Sequence, residues 1–249
     1  MRIALLSDIH GNATALNAVL ADITEQGGVD AYWIMGDLVA LGPEPVLTLE
    51  ILSGLRDARF VRGNTDRYVC TGDRPSPSIE EAKNDPQLLP VLVEVANTFA
   101  WTQGMVTAGG WLQWLQKLPL EMRISLPDGT RCLGVHASPG QDDGAGISPD
   151  WEAGALSKSL ADANADFVCV GHTHRPFDTR ILGTHVVNPG AVSLSLGGDK
   201  HASYAFLNVS GDIHSVEHRK VAYDRDSVID QLIRIGHPGR QFLIKHLSG

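Results

Sequence analysis

Five short segments hold the side chains with chemical potential: Asp8-Ile9-His10, Gly36-Asp37, Gly63-Asn64-Thr65-Asp66, Gly134-Val135-His136 and Gly171-His172-Thr173-His174. Asp8 and Asp37 brought together would repel and push one of the pair towards protonation, whereas a multivalent cation between them reverses the sign of that interaction. Asp8, His10, Asp37, Asn64, His136, His172 and His174 are therefore the candidate metal ligands. Two carboxylates, one amide and four imidazoles favour Mn, Fe, Zn, Co or Ni over Ca or Mg, which prefer all-oxygen shells. Seven donors exceed one tetrahedral site. They suit two divalent transition-metal ions ~3.5–4 Å apart, the arrangement that clamps the attacking and leaving oxygens of an in-line displacement at phosphorus.

The elements that must position these groups can be read from periodicity. Short apolar runs predict strands over 3–7, 31–35 and 59–62, each ending just before one of the segments. Helical spacing predicts helices over 13–26 and 46–55, the first closed by Gly27-Gly28. From about residue 70 to 118 helix-like stretches near 88–102 and 110–118 follow one another without a strand, the pattern of an inserted helical cap expected to roof the site. Beyond Met122 the pattern turns to strands. Runs over 123–126 and 131–135 flank the hairpin signal Pro127-Asp128-Gly129-Thr130, and further strands are predicted at 167–170, 184–187, 204–208 and 213–219. A helix over Trp151 to Asn164 interrupts them, and a surface helix over 227–235 is expected to close the chain. These elements predict a single α/β domain over residues 1–249, two sheets packed together and flanked by helices, with strand-end loops converging on one edge. In extended backbone, positions i and i+2 face the same side, so Asp8 and His10, and likewise His172 and His174, are expected to aim at one point.

With 20 basic and 29 acidic side chains the formal charge is −9, which repels nucleic acid and anionic membranes and indicates no nucleic-acid-binding surface. The apolar fraction of 43% is ample for a core. Cys70, Cys132 and Cys169 form no C-x-x-C pair, so neither a disulfide framework nor a cysteine zinc site is indicated. The four-residue apolar stretch near the N-terminus is too short for a signal-peptide core or a membrane span, and a cytoplasmic location is expected. No G-x-G-x-x-G or P-loop pattern supports a nucleotide cofactor.

The five segments, in this order, resemble the calcineurin-like metallophosphoesterase superfamily, whose pattern is D-x-H, G-D, G-N-H-[DE], a single His, then G-H-x-H. Asn188-Pro189-Gly190-Ala191-Val192 is similar to the N-P-G-S-V segment of small bacterial and archaeal members. The resemblance implies a four-layer α/β/β/α sandwich of two mixed sheets. It also implies that Asp8, His10, Asp37 and His174 bind one metal, that Asp37 bridges, and that Asn64, His136 and His172 complete the second site. Catalysis would then rest on Asp37, Asn64, His136 and Asp66, with direct attack of a hydroxide shared by the metals on a small-molecule phosphoester, a phosphodiester first. Phosphomonoesters, phosphoproteins and dinucleoside polyphosphates are the alternative substrates. A non-catalytic scaffold on the same fold is the remaining alternative, disfavoured because all seven ligands are present. One position departs from the pattern: Thr65 stands where the family has a histidine that helps the leaving group, which leaves the source of that proton open, while Asp66 is expected to orient a ligand histidine.

Outside the motifs, plainer readings prevail. His185, His201, His214, His218, His237 and His246 are expected on the surface or on strand faces, His201 being the one nearest the Asn-Pro-Gly turn. Asn188 and Gly190 read as a turn, and Trp101, Trp111 and Trp114 as packing between cap and body. Arg67 reads equally as a phosphate contact or a surface arginine, and Asp142-Asp143-Gly144 as a solvated loop.

Overall fold

The apolar run Arg2–Leu6 forms β1, at the centre of a five-stranded sheet. A computed structural model describes residues 1–148, 150, 160, 163–195, 198–211 and 213–248. In this first sheet β1 runs parallel to β2 (Ala31–Ile34), which is parallel to β3 (Ala58–Phe60). On its other side β1 pairs antiparallel with β9 (Ala202–Ser210), which pairs with β10 (Ile213–Val221). The second sheet has the order β4-β5-β6-β8-β7, from β4 (Glu121–Ser125), β5 (Arg131–Val135), β6 (Phe167–Cys169), β7 (Phe177–Ile181) and β8 (Thr184–Asn188). Both sheets are mixed, as expected.

The period of two along each strand divides the core into layers. Ile3, Leu5 and Trp33 point between the sheets and pack with Cys132, Phe167, Cys169 and Val187 of the second sheet. Each such fully buried side chain is stabilised by about 1.5–3 kcal/mol relative to exposure. The alternate residues Ala4, Leu6 and Ile34 face outward onto α1 (Ala13–Glu25) and α2 (Pro45–Ser53). Helix α1 is capped by Asn12, whose side chain accepts from Ala15 N at 3.0 Å, and buries Leu16, Val19 and Ile23 at helical spacing. On the far side of the second sheet Leu133, Val135, Val168 and Val186 pack against Ile147, Leu160 and Ala163. Most of the helix expected over 151–164 lies outside the described residues.

Helix α3 (Asn64–Thr71) leads into the expected helical segment, which contains α4 (Ile79–Asn84), a 3-10 turn at Pro86–Leu88, α5 (Leu89–Ala108) and α6 (Leu112–Gln116). Phe99, Val106, Leu115 and Leu118 join the same cluster as α1 and β1, so these helices share the main core. Four elements differ from expectation, α3 and α4 among them, since neither has an apolar spacing that marks a helix. Strand β7 was not predicted; it pairs with β8 through Leu182-Gly183, both at positive φ, a tight turn that a leucine does not advertise. Nor does the helix α7 (Arg225–Arg234) close the chain: α8 (Arg240–Ser248) follows, and Val228, Leu232, Leu243, Leu247 and Leu194 form a core of their own. Among the described residues no helix is long and apolar enough to cross a membrane.

Candidate metal centre

The candidate residues stand at the ends of β1, β2, β5 and β6 and at the start of α3, where loops leave the sandwich. Two glycines allow the closest approach. At Gly36, with φ +85°, a Cβ would meet Gly63 N at 2.5 Å, and at Gly63 a Cβ would meet Asp37 Oδ1 at 2.0 Å. The loops carrying Asp37 and Asn64 therefore touch backbone to backbone.

The backbone at Asp8-x-His10 and His172-x-His174 is not extended as expected. Asp8, His10, Asp37, His172 and His174 all have positive φ, between 51° and 67°. Non-glycine residues in this region cost of order 1–3 kcal/mol each and persist where surrounding contacts over-determine them. Here the contacts are backbone bonds: Asp8 N donates to Gly36 O at 3.1 Å, and both Ile9 N and His10 N donate to Asp37 O at 2.9 and 2.8 Å. The strand has already ended at Leu6, and the chain coils so that alternate side chains still converge.

All seven candidates meet. His174 Nε2 lies 3.3 Å from Asp8 Oδ1 and 3.1 Å from His10 Nε2. His136 Nε2 lies 3.4 Å from Asp37 Oδ1, and His10 Nε2 lies 3.7 Å from Asp37 Oδ2, so the Asp37 carboxylate spans two groups of donors. Asn64 Oδ1 is 3.1 Å from His136 Nε2 and 3.1 Å from His172 Nδ1. The opposite nitrogen of each ring faces a backbone carbonyl: His10 Nδ1 faces Ala40 O at 3.2 Å, His136 Nδ1 faces Met35 O at 2.5 Å, His174 Nδ1 faces Leu194 O at 2.8 Å and His172 Nε2 faces Gly144 O at 2.8 Å. A carbonyl only accepts, so each of those nitrogens donates and the inward nitrogen keeps its lone pair. The side-chain atoms that these seven residues turn towards one another are thus all acceptors. Such a set fits divalent transition-metal ions and fits nothing neutral.

The electrostatics agree. Asp8, His10, Asp37 and His136 are all buried. For protons alone, burial would push His136 down, but Asp37 and then Asp8 outweigh it and raise its pKa to about 10. Burial lowers His10 to about 4 despite Asp37. Asp37 is held below the usual carboxylate range, with His136 outweighing burial. The cluster attracts positive charge, and a metal ion competes with the proton for the same lone pairs.

Several neighbours take roles other than those expected. Asp66 orients no histidine; its carboxylate accepts from Leu38 N and Gly63 N, each at 2.9 Å, and so ties together the two loops bearing Asp37 and Asn64. Burial, with Asp37 nearby, raises its pKa to about 7. Thr65 N donates to Asp37 Oδ1 at 2.9 Å, while its buried hydroxyl has no partner among the described residues. Arg67 is held by Asp142, Asp143 and Asp73. The Asp142-Asp143-Gly144 loop is not simply solvated: Asp142 is buried and accepts from Arg62 Nε at 2.7 Å, and Gly144 O receives His172. Asn188, fully buried, donates to Gly171 O at 2.7 Å and Thr173 Oγ1 at 3.1 Å, propping the loop of His172 and His174 from below. The tryptophans pack edge-on, Trp114 with Phe60 at 5.3 Å and Trp101 with His237 at 4.5 Å. His201 is exposed beside Asp199 and His185 lies on a face of β8, both as expected, whereas His237 is buried between helices.

A family model for the calcineurin-like phosphoesterase superfamily domain matches residues 1–212. An uncharacterized protein of Methanocaldococcus jannaschii is 25% identical over 248 residues, covering 93% of this chain and 92% of that protein. A symmetrical bis(5'-nucleosyl)-tetraphosphatase of Pectobacterium carotovorum is 25% identical over 155 residues, covering 59% of this chain; the chain spans 44% of that enzyme's length. Among solved structures, a metallophosphoesterase from Sphaerobacter thermophilus superposes with a TM-score of 0.76 at 27% identity, covering 100% of this chain and 98% of the other. A hypothetical protein from Pyrococcus horikoshii shares the fold, with a TM-score of 0.81 at 22% identity over 99% and 97% of the two chains. With the family model spanning most of its length, the chain belongs to the calcineurin-like phosphoesterase superfamily, as a metal-dependent hydrolase of phosphate esters.

Proposed function

We propose that the protein hydrolyses phosphodiesters at a pair of divalent transition-metal ions, one held by Asp8, His10, Asp37 and His174 and the other by Asp37, Asn64, His136 and His172. The observation that carries this reading is the convergence of seven acceptors around a shared carboxylate, Asp37 Oδ1 towards His136 and Oδ2 towards His10. Bound there, two such ions would acidify a water between them and neutralise charge developing at phosphorus. The chain's own residues do the positioning. The backbone carbonyls behind the four imidazoles fix their tautomers, Asp66 holds the loops of Asp37 and Asn64 in register, and Asp8 accepts from His172 N at 3.1 Å. The helices between 79 and 116 are assigned the task of limiting access. The described cysteines are all free, which supports a cytoplasmic location.

Symmetrical dinucleoside polyphosphates are the second reading, favoured by the tetraphosphatase relatives, though the match spans less than half of that enzyme. The experiment is a turnover panel with Mn, comparing an aryl phosphodiester, an aryl phosphomonoester and a symmetrical dinucleoside tetraphosphate. The diester is expected to have the highest kcat/KM. A preference for either competitor reassigns the substrate, and no turnover with Mn, Fe, Zn, Co or Ni supports the scaffold alternative.

A further inference from the structure

After His136 the chain makes a loop over residues 137–147 that supplies none of the seven candidate ligands and yet returns to the centre. It folds on itself through a bridge between Ser138 and Gln141, and it closes where Ile147 N donates to Ala137 O at 3.1 Å. From there it holds the His172 imidazole at two points. Gly144 O faces Nε2 at 2.8 Å, and Gly146, at φ +64°, lies so near the ring that a Cβ there would meet His172 Cδ2 at 2.7 Å. The other nitrogen of the ring, Nδ1, faces Asn64 Oδ1 at 3.1 Å. What fixes the loop comes from the segment that carries Asn64. Asp142 is buried, and its carboxylate accepts from Arg62 Nε at 2.7 Å and from Arg67 Nε at 3.1 Å. These two arginines stand on either side of Gly63-Asn64 in the chain. Next to Asp142, Asp143 accepts from Arg67 Nη2 at 2.8 Å and from the Tyr68 hydroxyl. Bonds from guanidinium to carboxylate are about twice as strong as neutral ones, so the buried carboxylate of Asp142 is the firmest anchor the loop has towards α3. His10 and His174 lean instead on the carbonyls of Ala40 and Leu194, in other loops.

We infer that Asp142 is a positioning residue for His172: held between Arg62 and Arg67, it sets the loop whose Gly144 carbonyl and Gly146 backbone turn the Nδ1 lone pair of that ring towards the cation. Asp142 touches no candidate ligand itself and acts through the loop. The half of the centre built from Asn64, His136 and His172 then weakens when the anchor is lost, while the half built from Asp8, His10 and His174 does not. This inference rests on the two-ion reading above.

The test is calorimetric titration with Mn, together with thermal unfolding of the metal-free protein, on wild type, Asp142→Ala, Asp142→Asn and Gly146→Ala. Wild type should bind two equivalents. Asp142→Ala should keep one equivalent at wild-type affinity and bind the other ~10–100-fold more weakly, the loss typical when a partner behind a ligand is removed. Gly146→Ala leaves both arginine contacts in place and pushes on the ring directly, so it should weaken the same single equivalent, and it carries the test if Asp142→Ala does not fold. Asp142→Asn, whose amide oxygen still accepts from both Nε atoms, should stay within about threefold of wild type, since a neutral acceptor forms a weaker bond but keeps the geometry. Unchanged binding of both equivalents in a folded Asp142→Ala or Gly146→Ala protein overturns the inference and leaves the two-ion reading standing. Equal weakening of both equivalents with a fall in melting temperature also overturns it, since the loop would then serve the fold at large. A wild-type chain that binds fewer than two Mn ions overturns the two-ion reading and this inference with it.

Discussion

The Nε2 atoms of His10 and His174 face each other at 3.1 Å, while the Nδ1 atoms of the two rings are engaged by the carbonyls of Ala40 and Leu194. Two imidazole lone pairs at that separation repel unless a cation lies between them. The same arrangement recurs around Asn64 Oδ1, and Asp37 lies between the two groups. Chemistry and geometry therefore point to one account, in which backbone bonds hold the side chains of the centre in place for a cation.

Because Asp37 reaches both groups of donors, Asp37→Asn is expected to lower kcat/KM by more than about 100-fold, beyond the loss typical of removing a partner behind a ligand. Circular dichroism should show an intact fold, and bound metal should fall together with activity. Near-wild-type turnover in a folded Asp37→Asn protein contradicts the shared role.

Gly63→Ala places a methyl group 2.0 Å from Asp37 Oδ1 and 2.3 Å from Asp37 N, so moving the carboxylate alone does not relieve the clash. Destabilisation of about 1–3 kcal/mol is expected from the forced shift. Denaturant unfolding measures it, and metal content should fall in parallel. Full stability with full metal content contradicts the close approach of the two loops.

His237 offers a pH test remote from the centre. It is fully buried between α7 and α8, its Nδ1 accepts from Gly239 N at 3.2 Å, and its Nε2 has no partner among the described residues. Burial, with Arg240 nearby, lowers its pKa to about 4. The unfolded chain, with an ordinary value near ~6.5, takes up the proton first. The stability from a neutral His237 is therefore present above pH ~6.5 and is lost as pH falls towards ~4. In His237→Gln the loss of unfolding free energy between pH 7 and pH 4.5 should shrink by about 2 kcal/mol. An unchanged pH dependence contradicts the assignment.

Thr65 predicts how the reaction depends on its leaving group. Its hydroxyl cannot donate a proton near neutral pH as an imidazolium can. Plots of log kcat/KM against leaving-group pKa should be steep for wild type. Thr65→His should flatten them, general acid catalysis contributing ~10²–10⁴-fold. A shallow wild-type slope would show that another group supplies the proton.

The sequence made the centre legible because its donors are side chains of rare types in a fixed order, and the first strands and helices because their apolar residues recur at two and at 3.6. What it hid was backbone. The carbonyls of Met35, Ala40, Gly144 and Leu194 that set the imidazole tautomers carry no letter, and the positive φ of Asp8 and His10 overrode an extended-strand argument that reached the right convergence by the wrong geometry. Asp66 showed the right residue but not its backbone partners. Tyr68, four positions after Asn64, was within reach of helical spacing, yet its tie to Asp143 joins segments 75 residues apart. The helix α8 was legible too, since Leu243 and Leu247 stand at helical spacing beyond the Gly-His-Pro-Gly break.

Crystals grown with Mn and measured at its absorption edge test the central claim most directly. Two anomalous peaks are expected, separated by ~3.5–4 Å. One should lie among Asp8, His10 and His174, the other among Asn64, His136 and His172, with the Asp37 carboxylate between them. A single peak, or none, in crystals of protein shown to be active with Mn would contradict the account.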